Sequence, residues 1–406
     1  MTPGRDDQAC PERTRTVSPL RGMILAGACD NRPRTLPMPQ QPSDLPTIEY
    51  TAPETAPGHA SVDIDLASAR PLSSFDLGEA SLSVSLDRPG RQNGHLTLPR
   101  SDSRAAIAQL QIPLTVLVGR NAGPTVLLMA GVHGDEADGV LCLQRLAREI
   151  AIDDVRGRII IVPALNLPAV LENRRGTQDD GGNLDGCFPG GPEGSTGERL
   201  AHATCRLLLA EADLVVDLRA GGQSLAFAPM VAIRRTPKSD AYTLAEQAMV
   251  AFGAPNSVYL PSELAAAALP GLLERDGVGY VQASLGGAGD VTLDALNIAY
   301  TGCTNMLISL GVLAGDMQLR ATRTLALPGK KAWVFAPASG LLEPRARLGA
   351  EVYRGDPLAC IVDPEQSGGA VKVIDVPLNG VLLARRAGTH VRAGDLVALV
   401  ADEIQP

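Results

Sequence analysis

The stretch Val126-Leu-Leu-Met-Ala-Gly-Val-His-Gly-Asp-Glu136 decides the interpretation of this chain. Its first five residues are apolar and predict a buried β-strand that ends at Gly131. His133 and Glu136 follow three residues apart, a spacing that lets an imidazole and a carboxylate reach one metal ion. The stretch therefore predicts a strand whose carboxyl end carries two candidate metal ligands.

Strands and helices alternate around this stretch. Between Ile112 and Leu319, apolar runs of strand length and amphipathic runs of helix length follow one another: Leu114–Val118, Val126–Ala130, Gly139–Ile150, Arg158–Pro163, Gly197–Ala212 and Leu214–Leu218. This pattern predicts an α/β fold with a mixed, largely parallel sheet covered by helices. Ligands bind beyond the carboxyl ends of such strands, so we expect His133, Asn166 and Arg219 to converge there.

The pattern also divides the chain into segments. Residues 1–45 are rich in Pro, Arg, Asp, Gln and Thr and lack periodicity, which predicts a disordered tail. Residues 46–111 contain alternating runs such as Ala80–Leu86 and turn signals such as Gln92-Asn-Gly94, which predict a β-rich module. Residues 112–320 are predicted to form the α/β domain.

The last segment, residues 321–406, contains an internal repeat. Ser339–Glu343 followed by Val352–Val362 recurs as Asn379–Leu383 followed by Val391–Val400. Each copy is typical of two strands separated by a Gly-Asp turn. Two copies predict an all-β, barrel-like domain whose halves are related by a two-fold axis.

Composition favours a soluble protein with a small-molecule partner. The formal net charge of the 406 residues is −9, and no basic patch stands out, which argues against a nucleic-acid partner. No apolar run reaches the ~18 residues of a membrane span, so no membrane partner is expected. The seven cysteines are scattered without a CxxC pair, which predicts reduced thiols and a cytoplasmic location.

Five motifs, taken in order, resemble the succinylglutamate desuccinylase/aspartoacylase family and, within it, the N-acetyl-diaminobutyrate deacetylase branch: Gly131-Val-His-Gly-Asp-Glu136, Pro163-Ala-Leu-Asn166, Cys187-Phe-Pro-Gly190, Asp217-Leu-Arg-Ala-Gly-Gly222 and Ser284-Leu-Gly-Gly287. The resemblance implies a zinc-carboxypeptidase-like fold, a zinc cofactor and hydrolysis of linear amides of amino-acid derivatives. It also permits a homo-oligomer. His133 and Glu136 occupy the positions of the first two zinc ligands.

Four residues depart from the pattern that this resemblance implies. Arg219 stands where a histidine should be the third zinc ligand, and a guanidinium has no lone pair to give. Ser284 stands at the position of the general base, a glutamate, and has no neighbouring histidine in the sequence to activate it. Asp185 and Gly186 replace an Asn-Arg pair that holds the substrate carboxylate, so Asp185 should repel a carboxylate or attract an amine.

The remaining site residues are closer to the pattern. Arg175 matches the arginine that polarises the scissile carbonyl, although a solvated loop charge is the simpler interpretation. We expect Asn183, Asp185 and Arg219 to contact the ligand. We also expect Arg219 to form a two-pronged ion pair with Glu136 in place of zinc, leaving a metal-site remnant without an ion.

Three functions are compatible with these residues. The leading hypothesis is a degenerate deacylase-family protein that keeps a pocket for an amino-acid-like ligand and has a ligand-binding or non-hydrolytic role. The second is an active zinc-dependent N-acyl-amino-acid deacylase whose third zinc ligand is Asp185 or Asp217. The third is a non-catalytic interaction module that acts through the C-terminal domain or the tail.

Overall fold

The structure, a computed structural model, describes residues 79–100, 108–177, 183–264 and 268–405. The predicted tail over residues 1–45 and the first part of the predicted β-rich module, residues 46–78, lie outside the described residues. Within the described ranges, no helix combines the length and the hydropathy needed to cross a lipid bilayer. The five cysteines in these ranges form no disulfide bonds with one another.

The described chain forms nineteen strands and seven α-helices. In chain order the strands are β1 (Ser81–Leu82), β2 (Gly90–Arg100), β3 (Ala108–Val118), β4 (Thr125–Ala130), β5 (Arg158–Val162), β6 (Leu214–Arg219), β7 (Leu225–Phe227), β8 (Met230–Arg234), β9 (Asn256–Leu260), β10 (Gly279–Ser284), β11 (Arg323–Ala326), β12 (Trp333–Phe335), β13 (Gly340–Pro344), β14 (Glu351–Val352), β15 (Pro357–Val362), β16 (Lys372–Asp375), β17 (Gly380–Arg386), β18 (His390–Val391) and β19 (Leu396–Glu403). The helices are α1 (Ala137–Glu149), α2 (Leu167–Glu172), α3 (Leu184–Cys187), α4 (Thr196–Leu207), α5 (Asp240–Phe252), α6 (Leu269–Arg275) and α7 (Leu293–Ser309).

One large mixed sheet organises the fold, in the order β1-β2-β3-β5-β4-β6-β10-β8-β9-β11-β19-β17-β14. Its centre consists of the parallel strands β5, β4, β6 and β10. A second parallel group, β8, β9 and β11, joins the first through an antiparallel contact between β8 and β10. The predicted α/β fold with a largely parallel sheet is therefore confirmed.

Helices cover both faces of the central strands, which explains why the strand sequences are apolar without interruption. Every residue of β4 and of β6 is buried. On one face, Leu128 and Val216 belong to a core that includes side chains of α1, α5 and α7. On the other face, Leu127 and Val215 belong to a core that includes side chains of α4 and α6. Alternate residues of each strand thus face different helical layers.

One turn predicted from the sequence is wrong. Gln92-Asn-Gly94 lies inside β2, and the Ala80–Leu86 run is a strand only at β1. The side-chain amide of Gln92 donates to the backbone oxygen of Ser85 at 2.8 Å and accepts from its N–H at 3.1 Å. A Cβ at Gly94 would overlap Ser83, so this glycine allows one segment to cross closely over another rather than to turn.

The sheet continues across the segment boundaries predicted from the sequence. The boundary after residue 111 falls inside β3, which pairs with β2 on one side and β5 on the other. The boundary after residue 320 precedes β11, which pairs with both β9 and β19. The described residues accordingly belong to one compact unit.

The C-terminal strands pair in two equivalent sets. Within the copies, β13 pairs with β15 and β17 pairs with β19. The two copies also pair with each other in equivalent ways. The pair β14–β17 is equivalent to the pair β18–β13. The pair β12–β19 is likewise equivalent to the pair β16–β15. Each copy thus completes the other, and their apolar side chains share one core.

Candidate functional site

Polar side chains gather at the carboxyl ends of β4 and β6, the edge at which the sequence predicts them. Gly131 follows β4 with a φ of 66°, a left-handed conformation that turns the chain toward His133. Gly134 lies so close to α2 that a Cβ there would overlap the backbone of Ala169. Asn166 is buried beside this turn, and its N–H donates to the oxygen of Gly131 at 2.9 Å.

His133 and Glu136 are buried side by side. Nδ1 of His133 lies 2.7 Å from Oε1 of Glu136. Nε2 of His133 lies 2.8 Å from Oδ1 of Asn183, an oxygen that also accepts the backbone N–H of Asp185 at 3.3 Å. Because that amide oxygen only accepts, Nε2 carries a proton. The other ring nitrogen, Nδ1, is the one that faces Glu136.

Arg219 ends β6 and reaches the same imidazole nitrogen. Its Nη1 lies 3.0 Å from Nδ1 of His133. Its Nε donates to Oδ2 of Asp217 at 2.7 Å, and its Nη2 donates to Oδ1 of Asp185 at 2.7 Å. All three nitrogens of the guanidinium group thus have partners within the protein.

The predicted two-pronged ion pair between Arg219 and Glu136 is wrong. Asp217 precedes Arg219 by two residues on the same strand, so both side chains lie on one face and Asp217 takes Nε. Oε2 of Glu136 accepts the backbone N–H of Ala220 at 2.9 Å instead. The loop that follows β6, rather than the guanidinium, holds the second oxygen of Glu136.

Asp217 is fully buried, and sequence reasoning missed one of its partners. The hydroxyl of Tyr280, on the neighbouring strand β10, donates to Oδ2 of Asp217 at 2.9 Å. Burial raises the pKa of Asp217, an effect that the charge of Arg219 opposes. Burial raises the pKa of Tyr280 as well, and the Asp217 carboxylate adds to that rise. A tyrosine in a largely buried strand is typical of a core residue, so its sequence position offered no signal.

The charge of Arg219 is stabilised by its two acidic partners. Burial alone would lower the pKa of its guanidinium, because a buried charge loses hydration. The carboxylates of Asp217 and Asp185 outweigh that effect and hold the pKa well above its ordinary value. The site therefore contains a permanent cation supplied by the protein itself.

Asn183 and Asp185 come from the start of α3. The side chain of Asn183 caps this helix and contacts His133, as described above. The side chain of Asp185 is 33% exposed, whereas that of Arg219 is 8% exposed. A Cβ built at Gly186 meets no atom within 4 Å, so there is open space beside Asp185.

Arg175 and Ser284 lie at different depths. Nη1 of Arg175 is 3.8 Å from Oε1 of Glu136, and the Arg175 side chain is 56% exposed. Ser284 is buried at the end of β10, in register with Arg219, and its hydroxyl accepts from Nε2 of Gln282 at 3.5 Å. Among the described residues, no histidine or carboxylate hydrogen-bonds to the Ser284 hydroxyl, so nothing there activates it as a nucleophile.

The donor set does not fit a zinc ion. A zinc site needs three protein ligands with lone pairs, and His133 and Glu136 supply two of them. Asp185 and Asp217, the alternative third ligands, both accept from the Arg219 guanidinium. In the part of the chain that the structure describes, no group of three or more His, Cys, Asp or Glu side chains is placed to hold a metal ion.

The chain is similar to proteins of known activity and structure. Residues 122–310 match the model of the succinylglutamate desuccinylase/aspartoacylase catalytic domain. The N-alpha-acetyl-L-2,4-diaminobutyric acid deacetylase of Halomonas elongata is 36% identical over 327 residues, which are 80% of this chain and 95% of that protein.

Solved structures extend the similarity to the fold. The product-bound structure of the ectoine utilization protein EutE (DoeB) from Ruegeria pomeroyi is 38% identical and matches with a TM-score of 0.76, covering 80% of this chain and 98% of that chain. A succinylglutamate desuccinylase from Silicibacter sp. TM1040 is 35% identical, with a TM-score of 0.76 and the same two coverages.

Proposed function

This chain belongs to the succinylglutamate desuccinylase/aspartoacylase family, and we propose that it binds an amino-acid-sized ligand in its crevice without zinc-dependent amide hydrolysis. The observation that carries the proposal is the contact of 3.0 Å between Nη1 of Arg219 and Nδ1 of His133. The guanidinium group lies against the ring nitrogen that a metal ion would need, and it has no lone pair of its own to give. The same positive charge repels a divalent cation.

The surroundings of Arg219 make its position difficult to change. Its side chain is almost fully buried, and two carboxylates accept from it at 2.7 Å each. Removing one partner of a buried ion pair costs roughly 3–5 kcal/mol, because the other charge stays buried without compensation. Moving the guanidinium group aside for a metal ion would therefore cost a similar free energy.

Hydrolysis also lacks a base. A positioned general base contributes roughly 10²- to 10⁴-fold to the rate of a proton-transfer step. Ser284 occupies the position where the resemblance implies a glutamate, and its hydroxyl contacts Gln282 rather than a base. Loss of the base and of a metal ligand together argues against ordinary amide hydrolysis.

The relatives support the size and class of the ligand. The Halomonas elongata protein is named for its action on N-alpha-acetyl-L-2,4-diaminobutyric acid, and the Ruegeria pomeroyi protein was solved with its product bound. Asn183 contacts His133, Arg175 approaches Glu136, and Asp185 accepts from Arg219. We propose that Arg175, Asn183 and Asp185 contact the ligand.

The test is a metal and activity measurement on the purified, zinc-incubated wild-type protein. We expect zinc far below one ion per chain by elemental analysis, and no acetate release from Nα-acetyl-L-2,4-diaminobutyrate. One zinc per chain, together with amide hydrolysis that a chelator abolishes, would refute the proposal.

The second candidate function is an active zinc-dependent N-acyl-amino-acid deacylase. The proximity of Nδ1 of His133 to Oε1 of Glu136, 2.7 Å, favours it, because an imidazole nitrogen and a carboxylate oxygen are both zinc ligands. The identity of 36% to a deacetylase also favours it. The measurement just described separates the two candidates, since only the deacylase depends on bound zinc.

A further inference from the structure

The side chains that the site presents to solvent carry opposite charges. Arg175 is 56% exposed and Asp185 is 33% exposed. The charged groups behind them are enclosed, since the side chains of Glu136 and Arg219 are only 5% and 8% exposed. A ligand that enters from solvent therefore meets one accessible cation and one accessible anion.

Both exposed groups have atoms available for a ligand. Oδ1 of Asp185 is bound to Arg219, which fixes the carboxylate, while Oδ2 has no hydrogen-bond partner among the described residues. Arg175 approaches Glu136 only to 3.8 Å, which is longer than a hydrogen bond. The space at Gly186, beside Asp185, is open.

Four consecutive contacts connect the two exposed charges. Arg175 approaches Glu136, Glu136 contacts His133, His133 contacts Arg219, and Arg219 donates to Asp185. The contacts among Glu136, His133 and Arg219 join buried side chains, and the bond of 2.7 Å from Arg219 holds Asp185 to them. The site thus presents two opposite charges, Asp185 held by Arg219 and Arg175 beside Glu136.

We propose that this site selects an amino acid whose amino group is free and protonated, with the ammonium group on Oδ2 of Asp185 and the carboxylate on Arg175. The inference rests on the proposed function, because it names the ligand class of the same site. Acylation converts an ammonium group into a neutral amide and removes the charge that Asp185 attracts. Charge-assisted hydrogen bonds are about twice as strong as neutral ones, so the unacylated ligand binds more tightly.

The experiment is isothermal titration calorimetry of the full-length protein with three probes: L-2,4-diaminobutyrate, its Nα,Nγ-diacetyl derivative, and 1,3-diaminopropane, which lacks the carboxylate. For the wild type we expect the diacetyl derivative to bind at least about tenfold more weakly than the free amino acid. Diaminopropane should also bind more weakly, because it leaves Arg175 without a partner.

Two substitutions separate the contributions of the charges. Asp185→Asn keeps an oxygen for Arg219 and removes the charge, so it should weaken binding of the free amino acid about tenfold and leave the diacetyl derivative unchanged. Arg175→Gln should weaken the free amino acid and leave diaminopropane unchanged. Glu172→Gln is the matched control for charge, because Glu172 is an exposed residue at the end of α2.

A further variant controls for a structural effect of Asp185→Asn. Gly186→Arg places a cation in the open space beside Asp185 and should weaken binding of the free amino acid while thermal unfolding is unchanged. Equal or tighter binding of the diacetyl derivative by the wild type would overturn the ligand class, but not binding without hydrolysis. Release of acetate from that derivative with bound zinc would instead overturn the proposed function.

Discussion

Nη1 of Arg219 lies 3.0 Å from Nδ1 of His133, and the same imidazole nitrogen lies 2.7 Å from Oε1 of Glu136. A guanidinium group therefore supplies the positive charge at a place where an imidazole and a carboxylate converge. Because Asp217 and Asp185 hold the other two nitrogens of that guanidinium, the charge is fixed in position. The metal content and the stability of the protein should both depend on this one side chain.

Replacing Arg219 with histidine should restore a zinc site. The variant supplies a second imidazole, and thus a third ligand, beside His133 and Glu136 and removes the repelling charge, so we expect it to approach one zinc per chain. Elemental analysis after incubation with zinc and gel filtration measures the change. Arg219→Gln is the control, since it removes the charge without adding a nitrogen ligand of this kind. Equal zinc in the wild type and in Arg219→His would contradict the prediction.

Removing the Arg219 guanidinium should destabilise the protein through Asp217. We expect Arg219→Met to lower the free energy of unfolding by roughly 3–5 kcal/mol, because a fully buried carboxylate loses its ion-pair partner. Asp217→Asn in the same chain should recover much of that loss. Denaturant unfolding of the two single variants and the double variant measures the coupling.

An exposed ion pair provides the comparison for that coupling. Arg206 binds Glu79 at 3.1 Å, but their side chains are 47% and 83% exposed. Water screens such a pair, so Arg206→Met should change the stability far less than Arg219→Met. Additive effects of Arg219→Met and Asp217→Asn would show that the two side chains do not stabilise each other.

The stability should fall as the pH rises through the titration of Asp138. Burial raises the pKa of Asp138 to about 6, and the charges of Glu136 and Asp290 add to that rise. Since the carboxyl titrates near pH ~4 in the unfolded chain, the folded protein binds more protons between pH ~4 and ~6. The contribution of Asp138 to the free energy of unfolding is therefore fully present below pH ~4. It is lost as the pH rises through ~6, by on the order of 3 kcal/mol.

Asp138→Asn tests this pH dependence. The amide has the same shape and does not ionise, so the variant should be more stable than the wild type at neutral pH, and this advantage should vanish near pH ~4. Denaturant unfolding at both pH values gives the comparison. Asp153→Asn is the control, because Asp153 is exposed. A constant difference between Asp138→Asn and the wild type across this range would exclude the assignment.

Two glycines of the site should differ in their tolerance of a methyl group. Gly134→Ala should cost about 1–3 kcal/mol and weaken ligand binding, because the added Cβ overlaps the backbone of Ala169 and displaces His133. Gly186→Ala should leave the thermal unfolding midpoint unchanged, since nothing lies within 4 Å of its Cβ. Similar midpoints for the two variants would contradict the close approach at Gly134.

Much of the site's location is predictable from the sequence. The uninterrupted apolar runs of β4, β5 and β6 predict buried parallel strands, and parallel strands bring their carboxyl ends to one edge. His133 and Asn166 follow β4 and β5, Arg219 ends β6, and all three lie at that edge. The repeat in residues 321–406 predicts two similar sets of strands, because similar sequences form similar local structure.

The chain by itself determined which residue types reach the crevice, since strand periodicity and strand ends are local properties. Only the tertiary structure decided which of them bind one another. Arg219 could have joined Glu136, yet it binds Asp217, Asp185 and His133, because strand geometry and the position of α3 set those distances. Tyr280 enters the network for the same reason: it lies on a neighbouring strand, 63 residues away from Asp217 in sequence.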